Sequence, residues 1–277
     1  MSERFQLRGT LRKMSALFLR DFAIARSYRA AFILELSETL FGAAGFFFLS
    51  RFVESPQLDR ALPAGTSYFS FALVGLAFFD YLSVALRAFD DSLRDARQNG
   101  TLEHLLVTQT SLPVILAGSI LYPFVLLSLR TAIYLVWGAA LFGFPLGQAN
   151  WLGALLVLAA SILAFSGLGV LSASYLLVFK RGSPINWAFL GISSVVGGMM
   201  YPVSALPVWL QFVARLIPIT YALEGMRAAL LNHAAFRELW PSLAALLIFA
   251  AILLPVSVAT FSWALRRTKI TGTLTHF

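Results

Sequence analysis

The chain has 277 residues, of which 59% are hydrophobic and only 12% charged, and its mean hydropathy is +0.79. A soluble domain of this length carries about twice that charged fraction, so the composition excludes an ordinary water-soluble enzyme. The lack of cysteine excludes disulfide frameworks, thiolate nucleophiles and cysteine metal sites.

The apolar residues gather in blocks of the length a helix needs to cross about 30 Å of hydrocarbon. Six spans are predicted, over residues 30–52, 67–88, 114–142, 151–179, 185–201 and 242–265. The net charge of +8 is an orientation signal, not a nucleic-acid footprint, because the basic residues flank these blocks. With the N-terminus inside, fifteen Lys or Arg fall on the cytoplasmic side and five, Arg227 among them, on the other, while Arg130 lies within the third span. Both termini are then cytoplasmic. Residues 1–29 hold seven Arg or Lys and no continuous apolar core, which is unlike a secretory leader.

Residues 10–28 place Leu11, Met14, Phe18, Phe22 and Ala25 at three- and four-residue spacing, with Arg12, Lys13 and Arg20 elsewhere on the wheel. That pattern suits an amphipathic helix lying in the lipid interface; the alternative is a solvated basic tail. The first span carries Glu35 and Glu38 on one face, the second Asp80 and the third Arg130. Such groups are costly in hydrocarbon and face protein or water. They either line a translocation path or pair with Arg26, Arg29 or Arg87, which can snorkel inward.

Residues 90–112 form the second cytoplasmic segment. Asp90, Asp91, Arg94, Asp95 and Arg97 continue the second span into water as a polar helix. Gly100 can end it, and Thr101 can cap a new short helix with Leu102, Leu105 and Leu106 on one side and Glu103 and His104 on another. Pro113 then opens the third span. A short helix with exposed leucines fits a partner protein; an ordinary loop with one helical turn is the alternative.

Residues 202–240 are too apolar for an ordinary loop, yet Pro202, Pro207 and Pro218 prevent a continuous helix. Two short helices, over 207–216 and 220–231, that dip into the outer leaflet fit this pattern. Backbone breaks at that depth require protein or water around them. A loop on the outer headgroups, anchored by Trp209, is the alternative. Glycines at 167, 169, 197 and 198 mark positions of close helix approach. No phosphate-binding loop of the G-x-x-x-x-G-K-[ST] type occurs, and His104, His233 and His276 all lie outside the spans. Ser166 therefore has no histidine in any span to act as its base, and packing explains it better than catalysis.

Taken together these residues resemble the membrane subunit of an ABC-2 type exporter. Gly100-Thr101-Leu102-Glu103 and Leu105-Leu106-Val107-Thr108 look like that family's coupling helix. Tyr201-Pro202, Leu206-Pro207, Pro218-Ile219-Thr220-Tyr221-Ala222 and Gly225-Met226-Arg227 resemble its segment before the last span. Gln109 stands where proline commonly follows the Val-Thr pair, and Ile217 where asparagine commonly precedes the Pro-Ile-Thr-Tyr run.

The resemblance implies an all-α integral membrane fold filling 1–277 as one transmembrane domain. It comprises an interfacial N-terminal helix, six transmembrane helices, a cytoplasmic coupling helix (Gly100, Thr101, Leu102, Glu103, His104, Leu105, Leu106) and re-entrant helices at an outer gate (Tyr201, Pro202, Pro207, Pro218, Tyr221). It implies a location in the bacterial inner membrane, a second permease chain in a homodimer or a heterodimer, and contact with membrane lipid but no nucleic acid. The chain itself holds no cofactor and no catalytic or metal-binding residues; Mg-ATP binds a separate ATP-binding cassette ATPase subunit. The substrates implied are drugs, lipids and lipid-linked glycans, and the 25 phenylalanines favour a hydrophobic or amphipathic one. A secondary transporter or channel without an ATPase would account for the spans and acids, but gives the turn at 101–108 no purpose. A structural subunit or membrane enzyme predicts neither flux nor stimulated ATP hydrolysis.

Overall fold

The computed structural model describes residues 14–16, 18–20, 22–23, 29–53, 62, 66–98, 112–147, 149–179 and 184–270. Among these, all regular structure is helical: α1 (Arg29–Val53), α2 (Tyr68–Gln98), α3 (Leu112–Phe142), α4 (Trp151–Phe179), α5 (Pro184–Val196), a 3₁₀ turn (Val203–Ala205), α6 (Val208–Arg215), α7 (Pro218–Leu230) and α8 (Phe236–Ile270). Four helices hold a segment long and apolar enough to cross a membrane, within α2, α3, α4 and α8. Shorter apolar segments run through 40–52 and 186–196.

The bundle is built around α2 and α4, whose apolar segments are mostly buried, while only 28% of that of α3 and 22% of that of α8 is buried. An apolar helix with one uncovered face is what lipid, rather than water, makes stable. Small residues set the close approaches. Gly169 of α4 lies against the backbone of Ala85 on α2, and Gly167 against Leu253 of α8. Phe47 of α1, Phe69 of α2 and Phe142 of α3 join those three helices, with ring centroids 4.7–5.6 Å apart. Tyr81 donates to Ser128 at 2.9 Å, linking α2 to α3.

Two boundaries differ from the sequence reading. The fifth apolar helix stops at Val196 rather than continuing to Tyr201, because Gly197 and Gly198 follow and Gly198 adopts φ +82°, which side-chain-bearing residues rarely take. The last helix begins at Phe236 and runs to Ile270, so 236–240 belong to it and not to the broken segment before it. Asn150 sets the start of α4. Its side-chain oxygen accepts the Gly153 amide at 2.9 Å, while its Nδ2 donates to the Ala234 carbonyl at 2.8 Å. One residue thus caps a helix and holds the chain ahead of α8.

Of the N-terminal stretch, residues 14–16, 18–20 and 22–23 are helical. Phe18 stacks on Phe22 and also meets Tyr122 of α3, with centroids 5.9 Å apart. The rest of that stretch lies outside the described residues.

Candidate functional site

Polar chemistry gathers at the two ends of α2, roughly 28 Å apart along its axis at 1.5 Å per residue. At the C-terminal end, Asp90 is buried. Ser172 of α4 donates to its two oxygens at 3.3 and 3.1 Å, and Asn186 of α5 donates to Oδ2 at 2.8 Å. Asn186 Nδ2 also reaches the Leu86 carbonyl at 3.1 Å. Three helices meet on this one carboxylate. The expectation that Asp90 extends into water is therefore wrong: α4 and α5 flank this turn of α2 and supply the donors that a buried carboxylate requires.

Beside this network a cavity of about 660 Å³ opens between α2 and α5. Phe79, Leu190 and Trp187 give it apolar walls, while Ser83 and the charged pairs Arg87 and Arg94, Asp90 and Asp91 add polar groups of both signs. Positions 79, 83, 87, 90 and 94 share one face of α2 at helical spacing. Arg87 and Arg94 are exposed. A groove with an apolar wall and a charged margin can take an amphipathic molecule.

At the other end of α2 lies Arg227 of α7, 6% exposed. Its Nη1 donates to the Gly198 carbonyl at 2.7 Å, and its Nη2 to Met199 at 2.7 Å and to Phe71 at 3.0 Å. Nε also donates to Phe71 at 3.2 Å, and the guanidinium carbon sits 3.3 Å from the Phe71 ring centroid. The Gly198 and Met199 carbonyls lie past the last turn of α5, where helix geometry supplies no partners and the macrodipole is negative. Arginine's planar fork of donors suits such a convergence of acceptors. Burial pushes its pKa down to about 9, against the effect of Glu224 and Tyr68, so it stays charged at neutral pH. Glu224, one turn earlier on α7, has its pKa raised by desolvation, with Arg215 and Arg227 opposing.

Gly75 of α2 makes this knot possible. A Cβ there would strike the Met199 carbonyl oxygen and crowd Arg227 Nη2 at 2.7 Å. Around it, the segment of the three prolines folds as short pieces. Tyr201 donates to the Val195 carbonyl at the end of α5, and Pro202 precedes the 3₁₀ turn. Pro207 stands at the start of α6 and Pro218 at the start of α7, where proline's missing N–H costs nothing. Thr220 and Tyr221 donate to the Ala214 and Arg215 carbonyls, at 2.8 and 3.0 Å, closing the joint between these helices. Tyr201, Pro202 and Tyr221 are half-buried, Pro207 is exposed and Pro218 buried.

Asp80 and Arg130 are half-buried, and each makes an interaction. Glu35 and Glu38 lie within α1, but their side chains are outside the described residues, as are the backbone and side chains of Gly100, Thr101, Leu102, Glu103, His104, Leu105 and Leu106. The structure adds Asp90, Asn186 and Arg227 to the residues singled out for function. Arg227 had only been counted among the cations of one side and as the end of a motif. Among the described residues no cluster of His, Cys, Asp or Glu could hold a metal ion.

A helical bundle with four membrane-length helices and a proline-broken apolar segment packed into it defines a multi-pass membrane protein. The profile of the ABC-2 type transporter family matches residues 13–231, and the chain belongs to that family. It is 27% identical over 161 residues to the linearmycin resistance permease protein LnrN of Bacillus subtilis, covering 58% of this chain and 41% of that protein. It is 29% identical over 168 residues to the inner membrane transport permease YadH of Escherichia coli, covering 61% of this chain and 65% of that one. Each match thus spans less than two thirds of the relative's length.

Proposed function

We propose that this chain is the permease subunit of an ATP-driven exporter in the bacterial inner membrane, crossing it six times with both termini in the cytoplasm. Two such chains form a homodimer around the translocation path, and each engages a separate ATP-binding cassette ATPase through the helix at 100–106. Mg-ATP binds the ATPase. The observation that carries the reading is the apolar segment 197–235: it is broken into short helices, yet α7 is almost wholly buried among the long ones. Irregular backbone at membrane depth persists only inside protein or beside water, which fits re-entrant helices closing the outer end of a path.

The substrate is a hydrophobic or amphipathic molecule of the drug, lipid or lipid-linked glycan type. The cavity between α2 and α5 supports this, since it sets Phe79, Trp187 and Leu190 beside Arg87 and Arg94. The linearmycin resistance named for one relative agrees with it. In this arrangement the cavity opens toward the cytoplasm, where a substrate would enter.

The test is to purify the tagged chain with the ATPase encoded beside it and to measure ATP turnover and ATP-dependent flux in proteoliposomes. A stoichiometric complex whose ATP hydrolysis responds to the permease supports the reading. Flux driven by an ion gradient with no ATPase present overturns it in favour of a secondary transporter.

A further inference from the structure

We infer that Arg227 is the positioning residue through which movement of α2 is passed to the segment 197–217, so that this segment opens only when α2 moves. The inference rests on the permease reading above.

The argument begins with α2 itself. It is one uninterrupted helix from Tyr68 to Gln98, and its C-terminal end runs directly into the residues assigned to the ATPase contact. A packed helix moves as a body, so displacement at one end reaches the other. At the far end, what α2 presents is the Phe71 carbonyl and ring. Both are engaged by a single guanidinium, at 3.0 Å to the oxygen and 3.3 Å to the ring centroid. The same guanidinium holds Gly198 and Met199 at 2.7 Å each. Those two carbonyls lie in the irregular backbone that follows α5, which includes the positive φ of Gly198.

The residue joins three elements, and each bond is with a backbone group. Rotation or translation of α2 must therefore either carry residues 198–199 along or break charge-assisted hydrogen bonds in a buried site. Lysine cannot substitute: its single ammonium does not present donors in a planar fork to acceptors on three sides. Gly75, one turn from Phe71, keeps the Met199 backbone near enough for the guanidinium to span the gap.

The natural absence of cysteine allows a clean test. Ser204 in the 3₁₀ turn is exposed, so a Ser204→Cys chain, reconstituted with its ATPase, reports the state of the segment through its labelling rate by a membrane-impermeant maleimide. With Arg227 present, adding ATP is expected to change that rate about fivefold or more. In Arg227→Lys, thermal stability falls with the lost hydrogen bonds, but the complex still forms and ATP is still hydrolysed. The ATP-dependent change in labelling disappears, and transport is lost with it. A folded Arg227→Lys complex that keeps the full labelling response overturns the inference and leaves Arg227 a static strut. Should Arg227→Lys fail to assemble, Phe71→Leu decides, since it removes the ring and keeps the carbonyl: a weakened response supports the inference and an undiminished one overturns it. If the Ser204→Cys chain with Arg227 intact binds no ATPase and shows no response to ATP, it is the permease reading that fails.

Discussion

Arg227 and Phe71, 156 positions apart in sequence, meet through both the backbone and the ring of the phenylalanine: Nη2 donates to its carbonyl at 3.0 Å while the guanidinium carbon stands 3.3 Å from the ring centroid. A buried cation is costly without partners, and this one finds two acceptors, Gly198 and Met199, in backbone that the break after α5 leaves without helical partners, and a third on Phe71 of α2. An irregular segment and a buried charge thus satisfy one another.

Gly75 follows from that contact. Gly75→Ala puts a methyl group where the Met199 carbonyl oxygen lies, so backbone must move rather than a flexible side chain. The expected loss is about 1–3 kcal/mol, the usual cost of overpacking, seen as a lower melting temperature of the purified chain in detergent. Gly45→Ala on α1, where nothing lies within 4 Å of the added carbon, is the matched control and is expected to lose no stability, and to gain up to about 1 kcal/mol from alanine's better helix propensity.

Asp90 separates a structural role from one that needs charge. Asp90→Ala removes the acceptor that the Ser172 hydroxyl and the Asn186 amide share, leaving Asn186 its bond to the Leu86 carbonyl, and is expected to cost about 1–3 kcal/mol for the buried hydrogen bonds lost. Asp90→Asn keeps an oxygen for the Asn186 amide, and its own amide can donate to the Ser172 hydroxyl, which accepts as readily as it donates. Its stability is expected to stay near that of the unaltered chain. Thermal unfolding of both variants checks this, and a large loss in Asp90→Asn would show that the negative charge itself holds α2, α4 and α5 together.

How much of this was legible in the sequence varies with the range of the forces involved. The helix 151–179 reads directly, because a continuous apolar run is a local signal. The joints at Pro207 and Pro218 read for the same reason: proline fixes φ and lacks a donor wherever it stands. The end of the fifth helix was missed by five residues, since its stop depends on Gly198 taking a positive φ that an apolar run does not announce. Asp90 was placed in water because its neighbours Asp91 and Arg94 are charged; its real surroundings come from Ser172 and Asn186, far along the chain. A signal was present at Arg227, which stands in the stripe Thr220, Leu223, Arg227, Leu230 at helical spacing, all buried. An arginine in the middle of such a stripe has to find acceptors inside the protein.

Asn150 offers a test of how the start of α4 is fixed. Asn150→Asp retains the oxygen that accepts the Gly153 amide but loses the donor to the Ala234 carbonyl, whereas Asn150→Ala loses both. The alanine variant is expected to cost about 1–2 kcal/mol, in the range for a lost helix cap, and the aspartate variant less. Ranking the two by thermal unfolding checks the order. Equal losses would place the whole effect in the bond to Ala234.

The segment 100–106 carries the prediction on which the transport reading depends most. If Leu102, Leu105 and Leu106 seat in a groove on the ATPase, a charge at the middle leucine must be desolvated there without a partner, which interface cores do not tolerate. Leu105→Asp is expected to weaken co-purification of the ATPase by tenfold or more, about 1.4 kcal/mol, and to abolish any effect of the permease on ATP turnover. Glu103→Arg, at the polar margin, is expected to do less at high salt than at low, as exposed charges are screened. Measuring both at two salt concentrations separates core from rim. A Leu105→Asp chain that retains its ATPase and its coupling would show that this helix is not the contact, and that force enters the bundle elsewhere.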